Sequence, residues 1–106
     1  MKTTITFRHM KSSTTIKDFV KEHLDRLDRY FEKSKEAHVI LSVEKYMQIA
    51  EVVLTAKGVR ATGKSATQDM YTSIDEAVSK VEKVLKRHHD KIVKTRNDRT
   101  RAAAVA

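Results

Sequence analysis

Residues 68–94 hold most of the side chains in this sequence that could do chemistry. The segment reads QDMYTSIDEAVSKVEKVLKRHHDKIVK and combines carboxylates, serines, two adjacent histidines and a series of lysines and arginines. Such a composition fits either an acid–base or metal site of an enzyme or a charged surface that binds a polyanion. The face of the helix on which each residue lies distinguishes the two.

The spacing of these residues argues against an enzyme. Asp69 stands immediately before a helical pattern and is predicted to cap the first turn rather than to act as an acid or base. His88 and His89 diverge by about 100° around a helix, which makes them a poor metal chelate. The sequence has no cysteine, no glycine-rich phosphate loop and no nucleophile elbow. We therefore predict no catalytic residue, metal, cofactor or small-molecule substrate.

A helical wheel of the segment separates its charges. The predicted core stripe consists of Ile74, Ala77, Val78, Val81, Val84, Leu85, His88 and Ile92. Cations fall beside the stripe within an arc of roughly 80°, and we call them the basic ridge: Lys80, Lys83, Arg87, Lys91 and Lys94. Asp75, Glu82 and Asp90 project elsewhere, although Glu76 lies near the start of the ridge. The ridge is about 21 Å long, comparable with several successive phosphates.

The remaining elements follow from hydrophobic periodicity. Ile5 and Phe7 alternate with polar residues and predict a strand. A helix is predicted from Ser13, its N-cap, to about Phe31, with a second helix from near Asp69 to about Lys94. The apolar stripe of the first helix is Ile16, Phe19, Val20, Leu24, Leu27 and Phe31. Three β-rich runs lie between the helices: AHVILSVEKY, IAEVVLTAKG and VRATGKSA, the last weakened by its internal glycine.

The resulting order, β-α-β-β-β-α, predicts an α+β domain. Short connections between the last three strands favour antiparallel pairing, and the helix between the first two strands allows them to be parallel. A four-stranded mixed sheet with both helices packed on one face would cover both apolar stripes. Thr4, Thr6 and Arg8 would then lie on the other face, exposed to water.

Composition narrows the class of partner. A chain of 106 residues with a net charge of +8 is one domain by size and favours a negatively charged partner such as nucleic acid, with a merely solvated basic face as the alternative. The sequence shows no signal peptide and no apolar run near the roughly 20 residues that cross a bilayer. We therefore expect a cytoplasmic protein that does not contact a membrane.

The first helix adds further cations. They are spread among acids around its polar side, so they form a weaker set of candidates than the basic ridge. These residues are Lys17, Lys21, Arg26, Arg29 and Lys33.

The phrase QDMYTSIDEAVSKVEKVLKRHHDK, with the upstream HVILSVEK and IKDFVKEHLDRLDRYF, resembles the ribosome hibernation-promoting factor and ribosome-associated inhibitor A family. The resemblance covers about residues 1–95. It implies a domain loosely similar to double-stranded RNA-binding domains, which binds the small ribosomal subunit between head and body, where messenger and transfer RNAs would lie. Such a protein blocks translation and preserves idle ribosomes in stress or stationary phase.

The resemblance also implies contacts with ribosomal RNA. We carry them to Lys80, Lys83, Arg87 and Lys91, extended along the ridge to Lys94, with weaker candidates at Lys21, Arg26 and Arg29. We expect a monomer when free, made of a ribosome-binding domain at residues 1–95 and a basic, flexible tail at residues 96–106. Because this sequence contains no segment that resembles the second, ribosome-pairing domain of long family members, we expect the short form. The alternatives are a general structured-RNA-binding module and a small nuclease or metal-dependent enzyme.

Overall fold

The chain forms four strands and two α-helices in the predicted order. The computed structural model describes residues 2–30, 35–56 and 58–105, with side chains described as far as His88. The elements are β1 (Lys2–Arg8), α1 (Thr14–Asp25), a 3₁₀ helix (Arg26–Tyr30), β2 (Glu36–Glu44), β3 (Met47–Ala56), β4 (Val59–Thr67) and α2 (Met70–Val105). This order confirms the predicted α+β class.

The strands form one mixed sheet in the order β1-β2-β3-β4. β1 and β2 are parallel because α1 carries the chain back between them, whereas tight turns make β2, β3 and β4 antiparallel. Both edges of the sheet, β1 and β4, therefore lack a further strand within the described part of the chain.

Both helices pack on one face of the sheet. Alternate residues of each strand point into this layer, as the burial of Ala37, Val39 and Leu41 on β2 shows. The helices contribute residues of the predicted stripes. The fully buried members on the helical side are Val20, Leu24, Leu27, Ile74, Ala77, Val78, Val81 and Leu85.

The first helix changes geometry part of the way along the predicted span. Ser13 caps it as predicted, its hydroxyl accepting from the Ile16 amide at 3.3 Å. The α-helix ends at Asp25 and a 3₁₀ helix continues to Tyr30. Because a 3₁₀ helix has about three residues per turn, it keeps Leu24, Leu27 and Tyr30 on one side, over the core. The predicted end at Phe31 lies outside the described residues.

The second helix is longer than predicted. It begins at Met70 and runs to Val105, past the expected end near Lys94. Residues 95–105 contain neither glycine nor proline and include three successive alanines, so the sequence supplies no residue that would stop the helix.

Gly63, which seemed to weaken β4, is required by the packing. A Cβ atom built at this position would lie 2.2 Å from the carbonyl oxygen of Ala77 and 3.0 Å from the Cβ of Lys80. The backbones of β4 and α2 therefore approach more closely here than any larger residue would allow. This close approach holds the first third of α2 against the edge strand.

Candidate nucleic-acid interface

The interface is built on α2, whose first turn is fixed by Asp69. The Asp69 carboxylate accepts from the Thr72 hydroxyl at 2.8 Å and from the Thr72 amide at 3.2 Å. The Thr72 hydroxyl, as the main cause, holds the pKa of Asp69 below its ordinary value of 3.8. The predicted cap is confirmed, because this carboxylate satisfies the helix terminus.

Two serines set the rotation of α2 about its axis. The buried Ser73 hydroxyl donates to the carbonyl of Gln48 on β3 at 2.7 Å and accepts from the Thr67 amide at 3.1 Å. The Ser65 hydroxyl of β4 donates to the Glu76 carboxylate. These bonds connect the helix to β3 and β4. Contacts with the sheet therefore determine which side of α2 faces outward.

Two acids of α2, Asp75 and Glu82, face the first helix, whereas Glu76 faces β4. Asp75 lies 3.3 Å from His23 and 3.7 Å from the Arg26 guanidinium, measured from its Oδ1 atom. Glu82 lies 3.6 Å from the Arg29 guanidinium. This is too long for a strong hydrogen bond, and the buried Oε2 of Glu82 has no hydrogen-bond donor among the described residues. The flank of α2 nearest α1 thus contains paired charges.

The basic ridge begins at Lys80 on the flank of α2 that lies against β4. Lys80, Lys83 and Arg87 are all exposed. The Lys80 ammonium donates to the Lys64 carbonyl of β4 at 2.6 Å, which fixes the direction of this flank. In the described part of the chain, no acid forms an ion pair with Lys83 or Arg87. The side chains of Lys91 and Lys94 lie outside the described residues.

The core stripe departs from its prediction at Val84. This residue is 38% exposed, whereas Val81 and Leu85 are fully buried. On the wheel Val84 stands at the boundary between the stripe and the ridge, where the sheet no longer covers the helix. His88 is half-buried, and the Ile92 side chain lies outside the described residues.

The weaker candidates of the first helix differ in which acids lie near them. Lys21 is exposed and stands beside Asp25 and Asp28 in an open depression. Arg26 and Arg29 both lie next to acids of α2, so part of their charge is offset within the protein. Lys33 lies outside the described residues.

The wheel omitted a further cation of α2. Lys86 is exposed on the outer side of the helix, next in sequence to Arg87. It falls about 60° outside the predicted arc, between Glu82 and Lys83 on the wheel. Lys86 is therefore an exposed cation of α2 outside the basic ridge, and the prediction did not include it because the arc spans only about 80°.

Among the described residues, two further features would indicate a function: a metal site and a membrane-spanning helix. No group of three or more histidine and acidic side chains there could hold a metal ion. Neither described helix has both the length and the apolar character that a membrane span requires. The charged flank of α2 remains the prominent feature.

Comparison with known proteins identifies relatives over most of the chain. The model of the family described as "Sigma 54 modulation protein / S30EA ribosomal protein" matches residues 3–93. The ribosome hibernation promoting factor of Salmonella typhimurium is 32% identical over 92 residues, which cover 87% of this chain and 97% of that protein. The ribosome hibernation promoting factor of Pseudomonas putida is 32% identical over 91 residues, which cover 86% of this chain and 89% of that protein.

Solved structures agree with this relationship. The N-terminal domain of Thermus thermophilus Protein Y superposes with a TM-score of 0.78 at 30% identity, covering 83% of this chain and 99% of that one. A ribosomal subunit interface protein from Coxiella burnetii has the same fold, with a TM-score of 0.74 at 19% identity, covering 83% and 97%. The chain therefore belongs to the sigma 54 modulation protein / S30EA ribosomal protein family, the family of the ribosome hibernation promoting factors.

Proposed function

We propose that this protein is a ribosome hibernation factor. It binds the small ribosomal subunit in the messenger and transfer RNA channel, inhibits translation and preserves inactive ribosomes in stress or stationary phase. Its relatives named ribosome hibernation promoting factor support the hibernation role. The observation that carries the contact surface is the distribution of charge on α2. Asp75 and Glu82 pair with Arg26 and Arg29, Glu76 on the side of β4 is bonded to Ser65, and Lys83 and Arg87 are exposed.

Phosphate contact follows from this distribution of charge. A cation paired with a nearby carboxylate has less charge to offer a polyanion, whereas Lys83 and Arg87 are exposed and face away from Asp75 and Glu82. Release of counterions from RNA then favours binding. The contacts need no particular base sequence, because ammonium and guanidinium groups bind phosphate oxygens.

Rigidity supplies selectivity for a shaped RNA surface. The bonds of Ser73 and the close approach at Gly63 fix α2 relative to the sheet. Lys80, Lys83 and Arg87 are therefore carried on one helix that is fixed against the sheet instead of on a loop. Structured RNA is recognised largely through geometry and backbone, so such an array selects a matching channel rather than a sequence.

Co-sedimentation with purified small subunits tests the proposal. We expect the protein to pellet with subunits at low salt and to be released as salt rises, since several phosphate contacts make affinity steeply salt-dependent. Binding only to free duplex RNA, with no subunit binding, would indicate a general structured-RNA-binding module. RNA cleavage abolished by a chelator would instead indicate an enzyme.

A further inference from the structure

The turn between β2 and β3 presents an unusually exposed aromatic ring. Lys45 and Tyr46 form this turn between the paired residues Glu44 and Met47. Tyr46 is 73% exposed, against 39% for Tyr71, whose ring meets Phe19 edge-on. Tyr46 contributes little to the core, so its place at the tip calls for a reason other than packing.

The backbone around this ring is held in an unfavourable conformation. Lys45 has a φ of 55°, and His9, which follows β1, has a φ of 58°. They are the two non-glycine residues with positive φ in the described part of the chain. β1 and β2 are adjacent and parallel, with Arg8 opposite Ser42, so both strained positions lie at the same end of the sheet. A positive φ is part of the geometry of a two-residue hairpin turn, so at Lys45 it fixes the direction in which the tip leaves the sheet.

The charges at this end favour an anionic partner. Arg8, His9 and Lys11 leave β1 beside the turn that contains Lys45. Three acids lie at or near this end of the sheet, and one of them, Glu51, lines a depression together with Arg8, Lys64 and Glu44. Glu44 lies at the base of the turn, and the carboxylate of Asp69 is already occupied by the Thr72 hydroxyl.

The surroundings of the ring distinguish between partners. A protein-binding hot spot is normally the centre of an apolar patch, whereas Tyr46 follows the charged pair Glu44 and Lys45 and precedes Met47, which is only half-exposed. An exposed ring next to a lysine, with further cations at the same end of the sheet, is an arrangement by which proteins stack on an unpaired base and hold the adjoining phosphates.

We propose that this end of the domain is a second RNA contact, in which Tyr46 stacks on an unpaired base while Lys45 and Lys11 contact neighbouring phosphates. The inference rests on the proposed function and adds a contact that the basic ridge does not make. Its partner is a single-stranded or looped nucleotide of the small-subunit RNA, since bases within a duplex do not offer a free face.

Binding of Tyr46→Ala and Tyr46→Phe to small subunits tests this contact. We expect Tyr46→Ala to weaken binding about tenfold and Tyr46→Phe to bind within about twofold of the unaltered protein, because stacking needs the ring and not the hydroxyl. Thermal melting verifies that both variants fold. Acylation of the RNA 2′-hydroxyls, which reports how freely each nucleotide moves, should show a base that the unaltered protein and Tyr46→Phe protect and Tyr46→Ala does not.

The outcomes separate this inference from the proposed function. If the unaltered protein fails to bind subunits, both are overturned. If it binds and Tyr46→Ala binds equally well, the stacking contact alone is wrong. Weaker binding by Tyr46→Ala with an unchanged pattern of base protection would indicate contact with a ribosomal protein, and would also overturn the stacking contact.

Discussion

At the scale of single residues, the position of the basic ridge depends on a glycine. Gly63 lets the backbone of α2 lie against β4, and Lys80 extends from the same part of the helix. A change at this glycine would move the helix, and the cations with it, although the glycine itself contacts no partner.

We predict that Gly63→Ala destabilises the domain by about 3 kcal/mol, since the added methyl would overlap the Ala77 carbonyl and force α2 away from the sheet. Urea denaturation measures the change. Gly58→Ala is the control: Gly58 has a φ of 77° but open space around its Cβ position. We expect it to cost about 1 kcal/mol, from backbone strain alone. Equal losses for the two variants would contradict the close-approach argument.

A second residue-scale prediction concerns pH. The pKa of Asp69 is lowered in the folded protein, chiefly by the Thr72 hydroxyl, so its ionised form stabilises the fold above the ordinary value of 3.8. That contribution is lost as the pH falls through the lowered pKa. Asparagine also caps helices but does not ionise.

Urea midpoints of the unaltered protein and Asp69→Asn should therefore differ by a constant amount from pH 7 to about 5, and the difference should shrink at lower pH. A difference that stays constant down to about pH 2 would show that the Asp69 carboxylate gains nothing from Thr72.

At the scale of elements, sequence periodicity predicted the sides of α2 well. The stripe and the ridge follow from 3.6 residues per turn, and Asp75 and Glu82 were correctly placed away from the ridge. The pairing of these acids with Arg26 and Arg29 could not be predicted, because it depends on how α1 lies beside α2. The role of Gly63 was missed for the same reason: the sequence does not give distances between elements.

The edge of the core stripe of α2 allows the same substitution to be made at a buried position and at a partly exposed one. Val81→Asp would place a charge in the core, whereas Val84→Asp would place the same charge at a position 38% exposed. We expect Val81→Asp to cost several kcal/mol and to abolish cooperative melting, because a buried, unpaired carboxylate is strongly unfavourable. Val84→Asp should melt cooperatively within about 1 kcal/mol of the unaltered protein. A cooperative transition for Val81→Asp would contradict the assigned core.

At the scale of the whole molecule, the domain has two unlike surfaces. The helical side carries the exposed cations of α2, whereas the open sheet face carries polar residues and both signs of charge, including Lys2, Glu36 and Glu51. Net charge alone would bring either surface toward RNA. If the basic ridge makes the contact, binding requires the α2 side of the domain and not only a positive net charge.

Affinity for small ribosomal subunits, measured by sedimentation for two double variants of equal net charge, tests this requirement most directly. Lys83→Glu with Arg87→Glu alters the basic ridge, and Lys2→Glu with Arg60→Glu alters exposed cations of the open sheet face. With both variants shown by melting to be folded, we predict that the ridge variant loses subunit binding while the sheet variant stays within about tenfold of the unaltered protein. Equal affinities for the two variants would contradict the account.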